Sequence, residues 1–287
     1  MRTAIIGGLL AALALLAGCS ALRLGYNQGP DLAYWWLDRY VDFDEQQEPR
    51  AREAIAAWFA WHRRTQLPDY AALLEKAQGE ILDPATPAQM CRWMDELTLR
   101  LDRAFEQALP PLAETVRTMS PQQLAHLEEK YAKNNKEYRH DFLQPDAQER
   151  RRAQVKRVSD RAELLYGRLN DAQRERIAQL TADSPFDPEG WYVERQRRQQ
   201  DTLQTLRRLL AEHSGPAETQ AALRRLYEQM LRSPRPEYRD YQQRLLQFNC
   251  AFAADVHDLA TPLQRLHARK RLRGWEDDVR ALAAQGR

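Results

Sequence analysis

Glycine is sparse in this sequence, 11 in 287 residues, and Val, Ile and Thr are uncommon beside Ala, Leu, Arg, Glu and Gln. Strands favour β-branched side chains and helices favour straight ones, so this shortage excludes an extensive sheet. No GxSxG, GxGxxG or GxxxxGK[ST] occurs, which removes the nucleophile elbow and the phosphate-cradling loops. Three cysteines and six histidines show neither HExxH nor a Cys-His cluster, so tetrahedral metal spacing is absent. Neither charge is in excess. With 43 Lys plus Arg against 41 Asp plus Glu, no whole-protein field steers nucleic acid to the surface. No cofactor, nucleotide or metal is expected.

What is present is helical material. An apolar content of 43% fills a real core in a chain of this length. The composition and a 3.6-residue apolar period predict an all-α, multi-helix bundle of about ten helices with no significant β-sheet. The first helix starts at Asp31, where Leu32, Trp35, Trp36 and Tyr40 follow helical spacing. Further helices are predicted over 45–65, 69–81, 87–108, 121–141, 146–168, 171–181, 188–213, 216–232, 236–258 and 262–284. Prolines mark their ends, Pro68 and the Pro110-Pro111 pair among them, because Pro starts a helix well and does not continue one.

Five of these starts share a pattern: Asp44-x-x-Gln47, Thr86-x-x-Gln89, Ser120-x-x-Gln123, Asn170-x-x-Gln173 and Thr261-x-x-Gln264. Each predicts a capping box, in which the cap oxygen accepts from the third helical N–H and the Gln reaches back to the cap's own N–H. Phe43, Met119 and Leu169 precede three of them as hydrophobic staples. They read as five well-capped helices in preference to an ancient repeat.

The N-terminus carries one positive residue, Arg2, and then an apolar run from Ala4 to Ala17. At roughly 14 residues the run is too short to span a hydrocarbon core of ~30 Å and matches a secretory leader. Leu16-Ala17-Gly18-Cys19 closes it and resembles the lipobox of bacterial lipoproteins. The resemblance implies cleavage between Gly18 and Cys19, acylation of Cys19, and attachment to membrane lipid through that residue. Ser20, where retained lipoproteins carry Asp, implies the outer membrane with the domain facing the periplasm. The organisation expected is a leader over 1–18, a lipidated Cys and short tether over 19–30, and a helical periplasmic domain over 31–287. Gly215-Pro216 is the best point for a subdivision.

Export makes Cys91 and Cys250 an even pair in an oxidising compartment, where a disulfide is expected. Two buried free thiols are the other reading. Cys91 precedes the stripe Met94, Leu97, Leu101, Phe105, and Cys250 lies one turn after Leu246, so both are expected to face a core.

Candidate chemistry is thin. His62, His126, His140, His213, His257 and His267 are scattered, and only His257 and His267 sit on neighbouring predicted helices. Acids crowd at Asp38, Asp42, Asp44, Glu45 and at Glu276, Asp277, Asp278, where helix-dipole and solvation roles explain them better than paired general acid-base work. Basic runs at Arg150–Arg152, Arg195–Arg198 and Arg269–Arg273 read as solvated helix faces, with an anionic lipid or cell-wall polymer as the alternative. No catalytic residue is assigned. Tyr34, Trp35, Trp36, Tyr40, Phe43, Trp58, Phe59 and Trp61 gather just after the tether. Aromatics of this kind collect at membrane interfaces and also build cores; the core is the preferred reading here.

Leu-Ala-Gly-Cys, then Leu-Gly-Tyr-Asn at 24–27 and Tyr-Trp-Trp-Leu-Asp-Arg-Tyr-Val-Asp at 34–42, resembles an uncharacterised family of proteobacterial lipoproteins. That implies an exported helical lipoprotein and supplies no catalytic residues. Leu-Asn-Asp-Ala-Gln at 169–173 and Ala-Thr-Pro-Leu-Gln at 260–264 are similar to the LTxxQ motif of the periplasmic chaperones Spy and CpxP. Three function classes follow: a structural or interaction lipoprotein that binds an envelope protein, a Spy-like chaperone for unfolded clients, and, last, a cell-wall hydrolase. The first is the expectation.

Overall fold

All five reciprocal Gln pairs form, four as capping boxes on the helix start and the Asp44–Gln47 pair in the turn that leads into the helix beginning at Gln47. Asp44, Thr86, Ser120, Asn170 and Thr261 accept from the N–H of the Gln three residues on, at 2.8–3.3 Å, and each Gln Oε1 accepts from the cap's own N–H. The computed structural model describes residues 21–286. Gly18, Cys19 and the leader lie outside the described residues.

The elements are α1 (Ala21–Asn27), α2 (Gly29–Val41), α3 (Gln47–Trp61), α4 (Leu67–Glu80), α5 (Pro87–Arg117), α6 (Pro121–Phe142), α7 (Ala147–Tyr166), α8 (Asp171–Ala182), α9 (Pro188–Ala211), α10 (Pro216–Leu231), α11 (Pro236–Asp258) and α12 (Pro262–Ala284). A π-helical turn, His62–Gln66, joins α3 to α4. There is no strand among the described residues, so the chain is an all-α multi-helix bundle. The long helix α5 lies against α3, α9, α10 and α11; α12 lies against α4, α7 and α1; α2 bridges α3 and α6. The helices after Gly215 thus pack mainly on helices before it.

The caps also tie the bundle together. Gln173 and Gln264 exchange side-chain hydrogen bonds at 2.7 and 3.2 Å, and each donates to a carbonyl two residues before the other's cap, Leu259 O at 2.8 Å and Arg168 O at 3.0 Å. Gln47 and Gln123 repeat the arrangement, bonding each other at 2.6 and 3.3 Å and reaching Thr118 O and Asp42 O. Two helix starts are joined head to head in each exchange. The staples beside them, Met119 and Leu169, are buried in separate hydrophobic clusters, one with Leu203, Leu206 and Leu209 and the other with Ile177 and Ala268.

Three expectations about boundaries fail. Pro110 and Pro111 lie inside α5, which runs on to Arg117. The carbonyls they deprive of partners belong to Glu106 and Gln107, both on the wet side, while Leu109, Ala113 and Val116 hold the other face in the core. Pro68 does not break the path from α3 to α4 either. The Leu67 N–H reaches back five residues to His62 O, and this widened turn accommodates the proline in the first turn of α4.

The third correction concerns the tether. Residues Ala21–Asn27 form α1, and hydrogen bonds from Gln28 N to Leu24 O and Leu32 N to Gln28 O carry the helical path almost unbroken into α2. Arg23 pairs with Asp278 of α12 at 3.0 Å, and the Tyr26 hydroxyl meets His62 Nδ1 at 2.9 Å. Side-chain docking therefore orders a stretch whose glycines suggested a loop. At Gly29 a Cβ would lie 2.4 Å from the Phe59 ring, so any larger residue there would push that ring aside.

Candidate functional site

Cys91 on α5 and Cys250 on α11 face each other with Cα atoms 5.3 Å apart and sulfurs at 2.05 Å, a pair placed for a disulfide. Cys250 is buried and Cys91 half-buried. The stripe that follows Cys91 behaves differently from the expectation. Phe105 stacks on Tyr227 at 4.0 Å, but Met94, Leu97 and Leu101 are each about half exposed. The reason is rotational. Arg100 and Trp93 turn toward α4, where Arg100 forks onto Asp69 at 2.9 and 3.1 Å and Trp93 donates to Glu80 at 2.9 Å. Tyr227 and Arg224 bond Asp102 and Glu106 on the side facing α10. Met90, Met94, Leu97 and Leu101, spaced four, three and four, fall on the sector between these two contacts. That spacing is the seam of a helix-packing face.

At its N-terminal end the seam runs into an apolar cavity of about 420 Å³, lined by Met90, Trp93, Leu165, Phe252, Val256 and Leu272 among others. His257 stands at its wall. Its Nε2 lies 2.7 Å from Asp83 O, which only accepts, and its Nδ1 lies 2.7 Å from the Tyr166 hydroxyl, so both ring nitrogens are engaged. Burial pushes Tyr166 up to about 12. This dyad pins α7 and α11 to the turn before α5. His267, its expected neighbour, lies beside Gly167. The cavity with its seam can take an apolar side-chain row.

The aromatic group divides. Tyr34 is buried, stacked on Phe43 at 5.8 Å with the Arg52 guanidinium 3.7 Å from its ring. Trp58 stacks on His62 at 4.8 Å and donates to Ala104 O at 3.0 Å. Burial among these rings lowers His62 to about 4. Trp35 and Trp36, by contrast, are 58% and 57% exposed, which corrects the reading that put them in the core. Helical phase accounts for it: with Tyr34 turned inward on α2, the next two positions turn outward.

The acidic residues serve as turn acceptors and ion-pair partners. Asp44 accepts from Gln46 N and Gln47 N in the turn that opens α3, Asp38 accepts from Phe43 N at 3.0 Å, and Glu276 pairs with Arg280 at 2.6 Å. Within the Arg195–Arg198 run, Arg197 and Arg198 are neutralised from their own helix, both reaching Glu194 with Arg197 also bonding Asp201, while Arg195 bonds Asn135 at 2.9 Å. Sequence reasoning missed Glu194, a 1% exposed carboxylate, since one acid in a basic run carries no sign of burial. Among the described residues no group of His, Cys, Asp and Glu is arranged to hold a metal, and no helix is long and apolar enough to cross a membrane.

Residues 39–239 match the model of a family of unknown function, DUF6279. The chain belongs to that family. The DUF6279 match covers the part from the end of α2 to the start of α11 and includes Cys91, the α5 seam and both ends of the Gln47–Gln123 exchange. It begins after Trp35 and Trp36 and stops before Cys250. No curated protein and no solved structure matches the chain.

Proposed function

We propose that this chain is a lipoprotein held through acylated Cys19 on the periplasmic side of the outer membrane, where it binds an envelope protein in a structural or interaction role. The observation that carries the binding role is the α5 seam, Met90, Met94, Leu97 and Leu101, left half-bare between two packed neighbours. Its four-three-four spacing fits the apolar row of an amphipathic helix laid alongside it. The lipobox Leu16-Ala17-Gly18-Cys19, with Ser20 next, supports the anchor and the destination. The Cys91–Cys250 pair supports an oxidising compartment.

A photo-crosslinking residue placed at Leu97, in protein expressed at its native level, tests the reading. One stoichiometric partner band, lost when Met94 and Leu101 are replaced by Glu with the crosslinking residue kept at 97, is expected. A heterogeneous smear of clients instead favours the second reading, a Spy-like chaperone. That alternative draws on the methionines of the same seam, since flexible thioethers adapt to many partners. Suppression of aggregation of a denatured enzyme by the chain lacking residues 1–19 would decide for it.

A further inference from the structure

Leu24, Leu32, Trp35, Trp36 and Arg39 are all exposed along α1–α2: the two leucines are eight positions apart with exposed Gln28 midway, and the others follow at steps of three, one and three. Because Gln28 N and Leu32 N keep their bonds four residues back, the two helices stay in phase and these side chains form one stripe. Large apolar side chains scattered singly over a surface need no explanation, but two adjacent tryptophans with two leucines along one helix do. The opposite side of the same helices is fully engaged: Tyr26 on Phe59 and His62, Tyr34 on Phe43 and Arg52, and the Tyr40 hydroxyl accepting from Asn134. The stripe is thus held rigidly outward.

Its position in the chain selects the occupant. The predicted acylated residue, Cys19, lies two residues before Ala21, where α1 begins, and two residues reach at most ~7 Å when extended. Anything attached there keeps the start of α1 at the lipid headgroups. Tryptophan has a flat apolar ring with one N–H donor and settles at that depth, with leucine below it and arginine toward the phosphates. Asp31 at the edge of the stripe lies 3.5 Å from Arg52, so its charge is partnered.

We infer that the Leu24–Leu32–Trp35–Trp36–Arg39 face of α1–α2 rests in the interfacial layer of the membrane that holds Cys19, and so fixes the orientation of the whole bundle on that surface. The inference rests on the lipoprotein reading and adds to it a second, non-covalent contact, of the kind an acyl anchor and an amphipathic helix make together.

Full-length protein is extracted from the membrane, its N-terminal peptide is weighed for acylation of Cys19, and it is placed in phosphatidylethanolamine–phosphatidylglycerol vesicles containing 6,7-dibrominated phosphatidylcholine. Bromine quenches only indoles at the interface. Of seven tryptophans, Trp35 and Trp36 are expected to carry the quenched emission, so the quenched component is lost in Trp35→Phe/Trp36→Phe. Trp35→Phe alone, which leaves the Trp36–Tyr40 contact intact, removes part of it. Equal quenching in wild type and the double variant, or none in an acylated wild type, overturns the inference and leaves the lipoprotein reading standing. An unmodified Cys19 overturns both.

Discussion

The hydroxyl of Ser233, in the turn between α10 and α11, donates to Oε1 of Glu194 on α9 at 2.8 Å. Both residues are buried, and Arg197, Arg198 and Arg235 complete the shell around the carboxylate at 2.8, 3.3 and 3.6 Å. Burial alone would raise this carboxyl, but the bonds from Arg197 and Ser233 and the neighbouring guanidinium charges outweigh it and hold Glu194 below the usual carboxylate range. Glu194→Gln takes the carboxylate away from three partly exposed guanidiniums and is expected to lower stability by about 1–3 kcal/mol in denaturant melts. The sign with pH follows. A lowered folded-state value means stability that is present above 4.5, the ordinary Glu value, and is lost as pH falls through the folded one. The Gln variant should therefore lack that acid limb, and a variant with the wild-type slope would sink the assignment.

His62 gives a different acid window. Its value is lowered from 6.5 to about 4 by burial, so the unfolded chain takes up the proton first. Stability is full above pH 6.5, declines as pH falls, and has lost about 3 kcal/mol once below pH 4. His62→Phe keeps a ring against Trp58 and should flatten the slope between those values, whatever it does to the midpoint at neutral pH. Thermal melts from pH 7 to pH 4 on both proteins measure it.

Reduction should expose the worth of Cys91 and Cys250. They are 159 residues apart, and the chain-entropy account puts the stabilisation from such a bridge at ~5 kcal/mol at most. A mass two hydrogens short without reductant, and a denaturation midpoint that falls with dithiothreitol in wild type but not in Cys91→Ala/Cys250→Ala, are the expected results. Identical midpoints with and without reductant in wild type would argue for two free thiols.

The glutamine exchanges predict non-additivity. Gln264→Leu strips Thr261 N and Arg168 O of partners and takes from Gln173 the bonds it exchanges with Gln264, leaving Gln173 Oε1 only the Asn170 N–H, a loss of about 0.5–1.5 kcal/mol for each bond. Adding Gln173→Leu removes the mutual bonds only once, so the double variant should be more stable than the sum of the singles by about 0.5–3 kcal/mol. Simple additivity across the cycle would mean that the two side chains do not cooperate.

Helix existence and the five starts were legible because both depend on local chemistry: apolar period, cap side chain, Gln at the third position. The all-α class followed from the same signals. Exposure was not legible. Trp35 and Trp36 share a word with Tyr34, and only the direction from which α3 and α6 approach α2 decides which ring is covered. The seam on α5 has the periodicity of a core face, and its bareness arises because α4 and α10 arrive on either side of it. Pro110-Pro111 misled for a related reason, since their cost depends on whether water reaches the Glu106 and Gln107 carbonyls. Glu194 left no trace in the sequence, because the serine that makes its burial tolerable comes from two elements away.

The bridge position between α5 and α11 has a bearing on how the chain matures. Three free thiols allow three pairings, two of them wrong. On the proposed processing, the sulfur of Cys19 becomes a thioether and leaves the redox pool. A single connectivity then remains for Cys91 and Cys250, so a plain oxidant suffices and no isomerase is needed to proofread the product.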